Sequence, residues 1–282
     1  MEILMAEHAG FCFGVARVIS EVDRRLTAGE RLMTYGPVIH NERVIQELEE
    51  RGAHVLNTPE ELAGMDGETL VIRAHGVTRQ VMAQIRQMGL SYTDQTCPFV
   101  KRIHRIVAEA GARGETVVVA GDPSHPEVEG IVSYCEGPCF VIEGPEKALE
   151  LQLEADTRVC LVAQTTFQIN KFQEIVEVFT RKVYNLNVVD TVCNATEERQ
   201  TEAARLAEEA DAMIVIGGAK SSNTRKLFEI CRDRCPNTYL IQRARELPER
   251  FPEGVRRIGI TAGASTPNNT IEEVLEHVGR IV

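Results

Sequence analysis

The sequence predicts an α/β protein with mostly parallel sheets, and two observations support this fold class. Short runs of β-branched and other apolar residues alternate along the whole chain with longer stretches whose apolar residues recur every 3.6 positions. Loop residues flank each short run, which is typical of parallel strands joined by helices. No segment rich in Pro, Gly or Ser separates these units, and 43% of the residues are hydrophobic, which is enough to bury more than one core.

Each predicted strand is a run of four or five residues dominated by Val, Ile, Leu or Thr, and each predicted helix is an amphipathic stretch. In chain order the elements are strand Glu2–Met5, helix Val15–Leu26, helix Arg43–Glu50, strand Leu70–Arg73, helix Arg79–Met88, helix Val100–Ala110, strand Thr116–Ala120, strand Arg158–Val162, helix Ile169–Val183, strand Asn187–Asp190, helix Glu197–Glu209, strand Met213–Ile216, strand Arg257–Ile260 and helix Ile271–Val278.

Three cysteines indicate how the chain is organised. Cys12, Cys97 and Cys193 each follow a strand, which for Cys97 is the short run Leu90–Thr93, and each precedes a helix; they stand at intervals close to a third of the 282-residue chain. We therefore expect three similar α/β domains, at residues 1–97, 98–193 and 194–282, with the C-terminal segment packing back on the first. Since ligands of open parallel sheets bind beyond the carboxyl ends of the strands, three such ends can share one cofactor.

Composition narrows the class of function. The net charge of −11 and the absence of a long basic run argue against a nucleic-acid surface and favour a small-molecule partner. The first residues have no basic stretch followed by a signal-length apolar run, so we expect no secretion, and the apolar runs are far shorter than the roughly 20 residues that span a bilayer. We expect a cytoplasmic protein, in which eight cysteines are thiols, metal ligands or catalytic groups.

The setting of the three cysteines favours a ligand role, although spacing alone does not distinguish them from core thiols. Gly10 and Gly14 let the backbone close around something bulky at Cys12, and helix N-termini favour thiolates. Three thiolates leave one iron of a cubane cluster without a protein ligand, as a Lewis acid for substrate. The pairs Cys135/Cys139 and Cys231/Cys235 admit a four-cysteine zinc site instead. Cys160 lies in a strand and is expected to be a core residue.

Histidines and hydroxyl-rich loops predict an anion site. His40, His75 and His125 each stand between a strand and a helix, where three equivalent histidines are better explained as one anion-binding cluster than as idle loop residues. The loop Gly217–Asn223 and the loop Ala262–Pro267 place small residues and hydroxyls at helix starts, where phosphate binds.

Two further motifs suggest proton transfer. Glu127 shares a loop with His125, and a desolvated carboxyl group there can serve as a general acid; a glutamate that merely stabilises a helix N-terminus is the alternative. Gln164, Thr165 and Thr166 end a strand, so their hydroxyls can relay a proton, hold a ligand or cap a helix.

These motifs together, in order and over residues 7 to 267, resemble the 4-hydroxy-3-methylbut-2-enyl diphosphate reductase family, whose members catalyse the last step of the methylerythritol phosphate route to isoprenoids. The motifs that carry the resemblance are Gly10-Phe11-Cys12-Phe13-Gly14, Ile39-His40-Asn41, Ala74-His75-Gly76, Thr96-Cys97-Pro98, His125-Pro126-Glu127, Gln164-Thr165-Thr166, Ser221-Ser222-Asn223 and Gly263-Ala264-Ser265.

The resemblance implies three α/β domains in a pseudo-threefold trefoil around one [4Fe–4S] cluster, with Cys12, Cys97 and Cys193 as ligands and one open iron. It implies that Glu127 delivers protons and that Thr166 assists near the substrate hydroxyl. It also implies a diphosphate site that comprises His40, His75, His125, Thr165, Ser221, Ser222, Asn223 and Ser265.

The implied reaction uses two electrons and two protons to expel the C4 hydroxyl as water, and it forms isopentenyl or dimethylallyl diphosphate. Since a cubane passes electrons singly, the implied donor is a ferredoxin or a flavodoxin. Lys101, Arg102 and Arg105 form either a docking patch for an acidic donor or a solvated helix face. Two alternatives from other classes stay open: a non-enzymatic iron–sulfur redox sensor or carrier, and a zinc-dependent hydrolase.

Overall fold

The computed structural model describes residues 1–154, 156–182 and 185–281 of the chain. Its strands are β1 Glu2–Met5, β2 Leu32–Tyr35, β3 Ala53–Leu56, β4 Thr69–Ile72, β5 Tyr92–Asp94, β6 Thr116–Ala120, β7 Cys139–Ile142, β8 Arg158–Ala163, β9 Asn185–Val188, β10 Ala212–Ile216, β11 Thr238–Ile241 and β12 Arg257–Ala262. Its α-helices are α1 Phe13–Thr27, α2 Glu42–Glu50, α3 Arg79–Gln87, α4 Pro98–Ala112, α5 Pro126–Ser133, α6 Pro145–Glu150, α7 Ile169–Lys182, α8 Asn194–Glu209, α9 Ser222–Arg232 and α10 Asn268–Ile281.

Local sequence explains where several helices begin. Pro98 occupies the first turn of α4, where its missing N–H costs nothing. Thr78 caps α3 by accepting a hydrogen bond from the N–H of Val81 through its hydroxyl, at 3.3 Å. Along α4 the buried residues include Val100, Ile103 and Val107, which recur at helical spacing and turn one stripe of the helix inward.

Within the described residues the strands form three four-stranded sheets, and every pairing among them is parallel. The orders are β3-β2-β4-β5, β7-β6-β8-β9 and β11-β10-β12-β1. Each sheet has the same order. The strand that comes first along the chain (β2, β6 or β10) lies between the second and the third, and the fourth strand lies at the edge, beside the third. In the last sheet β1, from the other end of the chain, takes the fourth position and pairs Glu2 with Arg257.

This strand order creates one switch point per sheet. The second strand lies on one side of the first strand, and the third lies on its other side. The loops that leave the carboxyl ends of the first and third strands therefore run in opposite directions and leave a crevice between them. Open α/β sheets bind ligands in that crevice. The loops after β2 and β4, β6 and β8, and β10 and β12 are therefore the places to look for a site.

The central strands are buried on both faces, as parallel sheets require. Val117 to Ala120 and Val159 to Ala163 are almost fully buried. On one side of their sheet, Phe172, Ile175 and Phe179 of α7 pack against the strands, while α4 and α5 cover the other side. The sheet is therefore a rigid platform for the loops at its edge.

The α/β class with parallel sheets is confirmed. Strands Glu2–Met5 and Thr116–Ala120 lie as predicted, whereas Asn187–Asp190 begins two residues earlier, at Asn185. No ranges were predicted for strands β2, β3, β7 and β11 or for helices α5, α6 and α9, although helices were expected after His125 and at the loop Gly217–Asn223. Runs of four to eleven residues are too short to show a clear period. Residue 183, the last of the predicted helix Ile169–Val183, lies outside the described residues.

The chain divides into two compact units. The first comprises residues 1–16, 39–47 and 194–282, and contains the sheet of β1, β10, β11 and β12. The second comprises residues 17–38 and 48–193, and contains the other two sheets. The division into three domains at residues 97 and 193 stays a prediction. None of the described helices is both long and apolar enough to span a membrane.

Candidate active site

The three cysteines occupy equivalent places in the three sheets. Cys12 follows β1, Cys97 follows β5 and Cys193 follows β9, and these are the fourth strands of their sheets. The carbonyl of Cys12 accepts a hydrogen bond from Ala16 N (2.8 Å), and that of Cys97 accepts one from Lys101 N (3.0 Å), so both residues open helices. Cys193 lies directly before α8, and its N–H donates to the carbonyl of Thr165 at 3.1 Å. All three are half-buried.

The other five cysteines have environments that suit thiols. Burial raises the pKa of Cys139 and of Cys231 to about 12 and that of Cys160 to about 11. Burial also raises the pKa of Cys135 and of Cys235. A metal ligand must be a thiolate, so these five are poor ligands as they stand. In the described structure no cysteine takes part in a disulfide.

The loop before Cys12 is held by two side chains of α8. Arg199, which is buried, donates to the carbonyl of Gly10 at 2.9 Å. Glu202 accepts from the N–H groups of Glu7 and His8 at 2.8 and 3.0 Å, and these bonds lower its pKa although burial opposes them. Sequence analysis missed both residues, because one Arg and one Glu in an amphipathic helix look like surface residues.

The loop before Cys193 is held by Thr191, which sequence analysis also missed. Its hydroxyl donates to the carbonyl of Ala163 at 2.6 Å and accepts from the N–H of the same residue at 2.8 Å. The side chain thus makes the two backbone hydrogen bonds that a neighbouring strand would make with the last residue of β8. Thr191 lies two residues before Cys193. Both partners are buried, so these bonds define where the loop lies.

The predicted proton donor lies at the switch point of the sheet that contains β6 and β8. Glu127 follows β6 and is 2% exposed. The N–H and the hydroxyl of Thr165, which follows β8, donate to its two carboxylate oxygens at 2.6 and 2.8 Å. This two-point contact gives the carboxyl group one orientation. Thr166 is the next residue and is half-buried.

Two of the predicted histidines meet in the second unit. The rings of His75 and His125 make an edge contact with centroids 5.3 Å apart. His125 caps α5, and its Nδ1 accepts a hydrogen bond from Glu127 N at 3.1 Å. Nδ1 therefore carries the lone pair, and in the neutral ring the proton is on Nε2, where it can be donated to an anion.

A third histidine, His104 of α4, supports these two loops and was missed by sequence analysis. A Cβ atom on Gly76 would lie 3.2 Å from its Cε1, and one on Gly130 would lie 3.3 Å from its Nε2. The ring stacks on Tyr134 with centroids 4.2 Å apart. Burial lowers its pKa from 6.5 to about 4, so His104 is neutral at pH 7 and acts as packing under the His75 and His125 loops.

The remaining predicted residues belong to the first unit. Ser221 caps α9, accepting from Thr224 N at 3.3 Å, and Asn223 lies in the first turn. Asn41 donates to the carbonyl of Ser265 at 2.9 Å, and Ser265 donates to the carbonyl of His40 at 3.4 Å. These two bonds join the loop after β12 to the segment around His40. The loop after β10 packs against the same segment, since a Cβ atom on Gly218 would lie 2.7 Å from the carbonyl oxygen of His40, and Ser222 lies buried at the start of α9.

Asn223 is the clearest sign of a ligand in this unit. Its side chain is 4% exposed, yet neither amide atom has a hydrogen-bond partner among the described residues. A buried polar group without a partner costs about 1–3 kcal/mol. With the N-terminus of α9 beside it, this amide is suited to bind an anion.

Comparison with known proteins identifies relatives over the full length. The family model described as "LytB protein" matches residues 3–279. A protein of Caldanaerobacter subterraneus subsp. tengcongensis is 43% identical over 99% of this chain and 96% of its own length. One of Geotalea uraniireducens is 41% identical over 100% and 98%. Both relatives are named 4-hydroxy-3-methylbut-2-enyl diphosphate reductase.

Two solved structures are similar to this one. A (E)-4-hydroxy-3-methyl-but-2-enyl diphosphate reductase, described as the terminal enzyme of the non-mevalonate pathway, is 40% identical and covers 99% of this chain and 100% of its own, with a TM-score of 0.69. The E-1-hydroxy-2-methyl-but-2-enyl-4-diphosphate reductase of Plasmodium falciparum is 26% identical, with a TM-score of 0.91 and coverage of 99% and 87%.

Proposed function

The chain belongs to the LytB protein family, and we propose that it is a 4-hydroxy-3-methylbut-2-enyl diphosphate reductase that completes the non-mevalonate route to isoprenoids. The substrate takes up two electrons and two protons, loses its C4 hydroxyl as water, and becomes isopentenyl or dimethylallyl diphosphate. One observation carries the proposal: in each sheet a cysteine follows the fourth strand, while candidate ligand or proton-transfer residues follow the first and third strands along the chain.

We propose that Cys12, Cys97 and Cys193 hold one [4Fe–4S] cluster, which makes the enzyme an iron–sulfur oxidoreductase. The donor set fits, because each of the three half-buried thiols lies between the fourth strand of its sheet and a helix, and burial keeps the other five protonated. A cluster held by these three cysteines would supply electrons one at a time and would leave one iron without a side-chain ligand.

Glu127 is the proposed source of the proton that leaves with the C4 hydroxyl. Thr165 orients its carboxyl group, because its N–H donates to one carboxylate oxygen and its hydroxyl, which donates to an ionised carboxylate and accepts from a protonated one, meets the other; burial excludes water that would compete for the proton. Thr166, the next residue in the chain, assists near the substrate hydroxyl. These roles separate proton delivery from substrate binding and can be tested separately.

The diphosphate is proposed to bind the histidines and the helix starts. His125 presents Nε2–H, and the buried amide of Asn223 supplies a donor and an acceptor. Neutral donors at helix N-termini bind an anion even in an acidic protein, because the nearby N–H groups and the helix dipole affect the anion more than the net charge of the protein does. The proposed set is His40, His75, His125, Thr165, Ser221, Ser222, Asn223 and Ser265.

A one-electron carrier, either a ferredoxin or a flavodoxin, is the proposed donor, since the reaction consumes electrons singly. We place the enzyme in the cytoplasm, because thiols that ligate a cluster need a reducing compartment.

The deciding experiment measures iron, acid-labile sulfide and zinc in anaerobically purified protein, together with turnover of the diphosphate by viologen-reduced enzyme. About four iron and four sulfide per chain are expected. Replacing Cys12, Cys97 or Cys193 by Ser should abolish the cluster, whereas Cys139→Ser, the matched control, should retain it. Zinc without sulfide, even after reconstitution, would overturn the proposal.

A further inference from the structure

Helix α4, which starts directly after Cys97, presents an exposed surface of unusual composition in its first two turns. Phe99 is 39% exposed, and Lys101, Arg102 and Arg105 all face solvent. The buried residues of the helix, such as Val100 and Ile103, point the other way. We call Phe99, Lys101, Arg102 and Arg105 the α4 face.

The charges of the α4 face are not explained by helix stability. The N-terminal turns of a helix carry partial positive charge and favour acidic side chains, yet α4 has no acidic residue in its first turn. Lys101 is paired with Asp94 at 2.7 Å, and Arg105 contacts Glu109 only at 3.9 Å. Arg102 makes no ion pair with any residue that the structure describes. The face thus keeps positive charge where the helix dipole disfavours it.

The position of the face relative to Cys97 is informative. At a rise of about 1.5 Å per residue, the whole face lies within roughly 12 Å of that cysteine along the helix axis. Helix α8, which follows Cys193, begins instead with the exposed acidic residues Glu197 and Glu198. In a chain of net charge −11, a basic helix start beside a proposed cluster ligand selects for an acidic partner.

We propose that the α4 face is the docking surface for a small acidic one-electron carrier protein. Arg102 and Arg105 attract and orient the carrier, and Phe99 supplies the apolar contact that interfaces place beneath a charged rim. The carrier then donates one electron at a time beside Cys97, twice per turnover. This inference rests on the proposed function, because it needs a redox centre at Cys97.

The experiment uses full-length protein with an acidic [2Fe–2S] ferredoxin as the probe. Binding is measured by calorimetry at low and high salt, and turnover is measured with reduced ferredoxin and with reduced methyl viologen. The test variant is Arg102→Glu/Arg105→Glu. Arg181→Glu is the matched control, because Arg181 is also exposed and contacts a glutamate one helical turn away, at 3.7 Å.

The double variant should bind ferredoxin about tenfold more weakly, and its binding should depend less on salt, because rim charges act through long-range attraction. Its turnover with methyl viologen should equal that of the wild type. Phe99→Ala should weaken binding about fivefold at any salt concentration. Phe140, on β7, is 38% exposed, and the control variant Phe140→Ala should not change the affinity for ferredoxin.

Equal affinity of ferredoxin for the wild type, the double variant and Phe99→Ala would overturn the inference, as would no binding to the wild type. Equal weakening in Arg181→Glu would overturn it too, because it would reveal a non-specific charge effect. Failure of the proposed function gives a different result: no turnover of the diphosphate by the wild type with methyl viologen, whatever the affinity for ferredoxin.

Discussion

Replacing Thr191 by Val isolates the two hydrogen bonds that hold the loop before Cys193. Valine keeps the shape of the side chain, so the change leaves the N–H and the C=O of Ala163 without their partner, at sites where Thr191 is 3% exposed and Ala163 is fully buried. Each buried group left unsatisfied costs about 1–3 kcal/mol. The free energy of unfolding should therefore fall by about 2–6 kcal/mol, a large part of the roughly 5–15 kcal/mol of a typical domain.

The assay is urea unfolding of the metal-free protein, followed by circular dichroism, with iron retention of the reconstituted protein as a second readout. Thr191→Ser is the matched control, because it keeps the hydroxyl and loses one methyl group, worth about 0.8 kcal/mol. Thr191→Val should also lose iron faster, since Cys193 is two residues away. A Thr191→Val protein within about 0.5 kcal/mol of wild type would refute the reasoning, since lost hydrogen bonds of this kind cost more.

Three further predictions concern the site. Glu127→Gln should keep the cluster and substrate binding but lose most turnover, since an amide has no acidic proton; unchanged turnover in steady-state assays would remove Glu127 from the mechanism, and the exposed Glu129→Gln is the control. Asn223→Leu should raise the KM for the diphosphate about tenfold without lowering the melting temperature, because it removes orphaned polar atoms; unchanged KM with reduced stability would contradict this. The pKa of His104 is about 4 in the folded protein and 6.5 when unfolded, so its contribution to the free energy of unfolding is present above pH 6.5 and is lost as the pH falls toward 4. In urea titrations the free energy of unfolding of the wild type should fall by roughly 3 kcal/mol more than that of His104→Phe over this pH range. Equal falls in the two proteins would contradict the prediction.

Periodicity predicted the long elements and failed at the short ones. The strand Thr116–Ala120 is a run of β-branched residues buried on both faces, so its composition alone marks it. Strand β7, Cys139–Ile142, is an edge strand with partly exposed side chains, and its four apolar residues are too few to show alternation or to be told from a short helical stretch. Edge strands are stabilised by pairing, and pairing with β6 is not visible in four residues.

Residues that support the site were harder to predict than residues that form it. Cys12, Cys97 and Cys193 stand out because each combines a reactive side chain with a strand-to-helix position. Arg199, Thr191 and His104 lack such a signature, since each contacts backbone groups or glycines that lie 26 to 189 residues away along the chain. Their roles depend on distances that no local pattern encodes.

Local chemistry therefore settles the fold class, the longer elements and the identity of the reactive side chains, because apolar periodicity and functional groups are properties of short segments. Folding adds the partners: β1 completes the sheet of the last strands, Thr165 meets Glu127 across the switch point, and five cysteines become too buried to ionise readily. These outcomes arise from long-range pairing and desolvation, which depend on the whole packed chain.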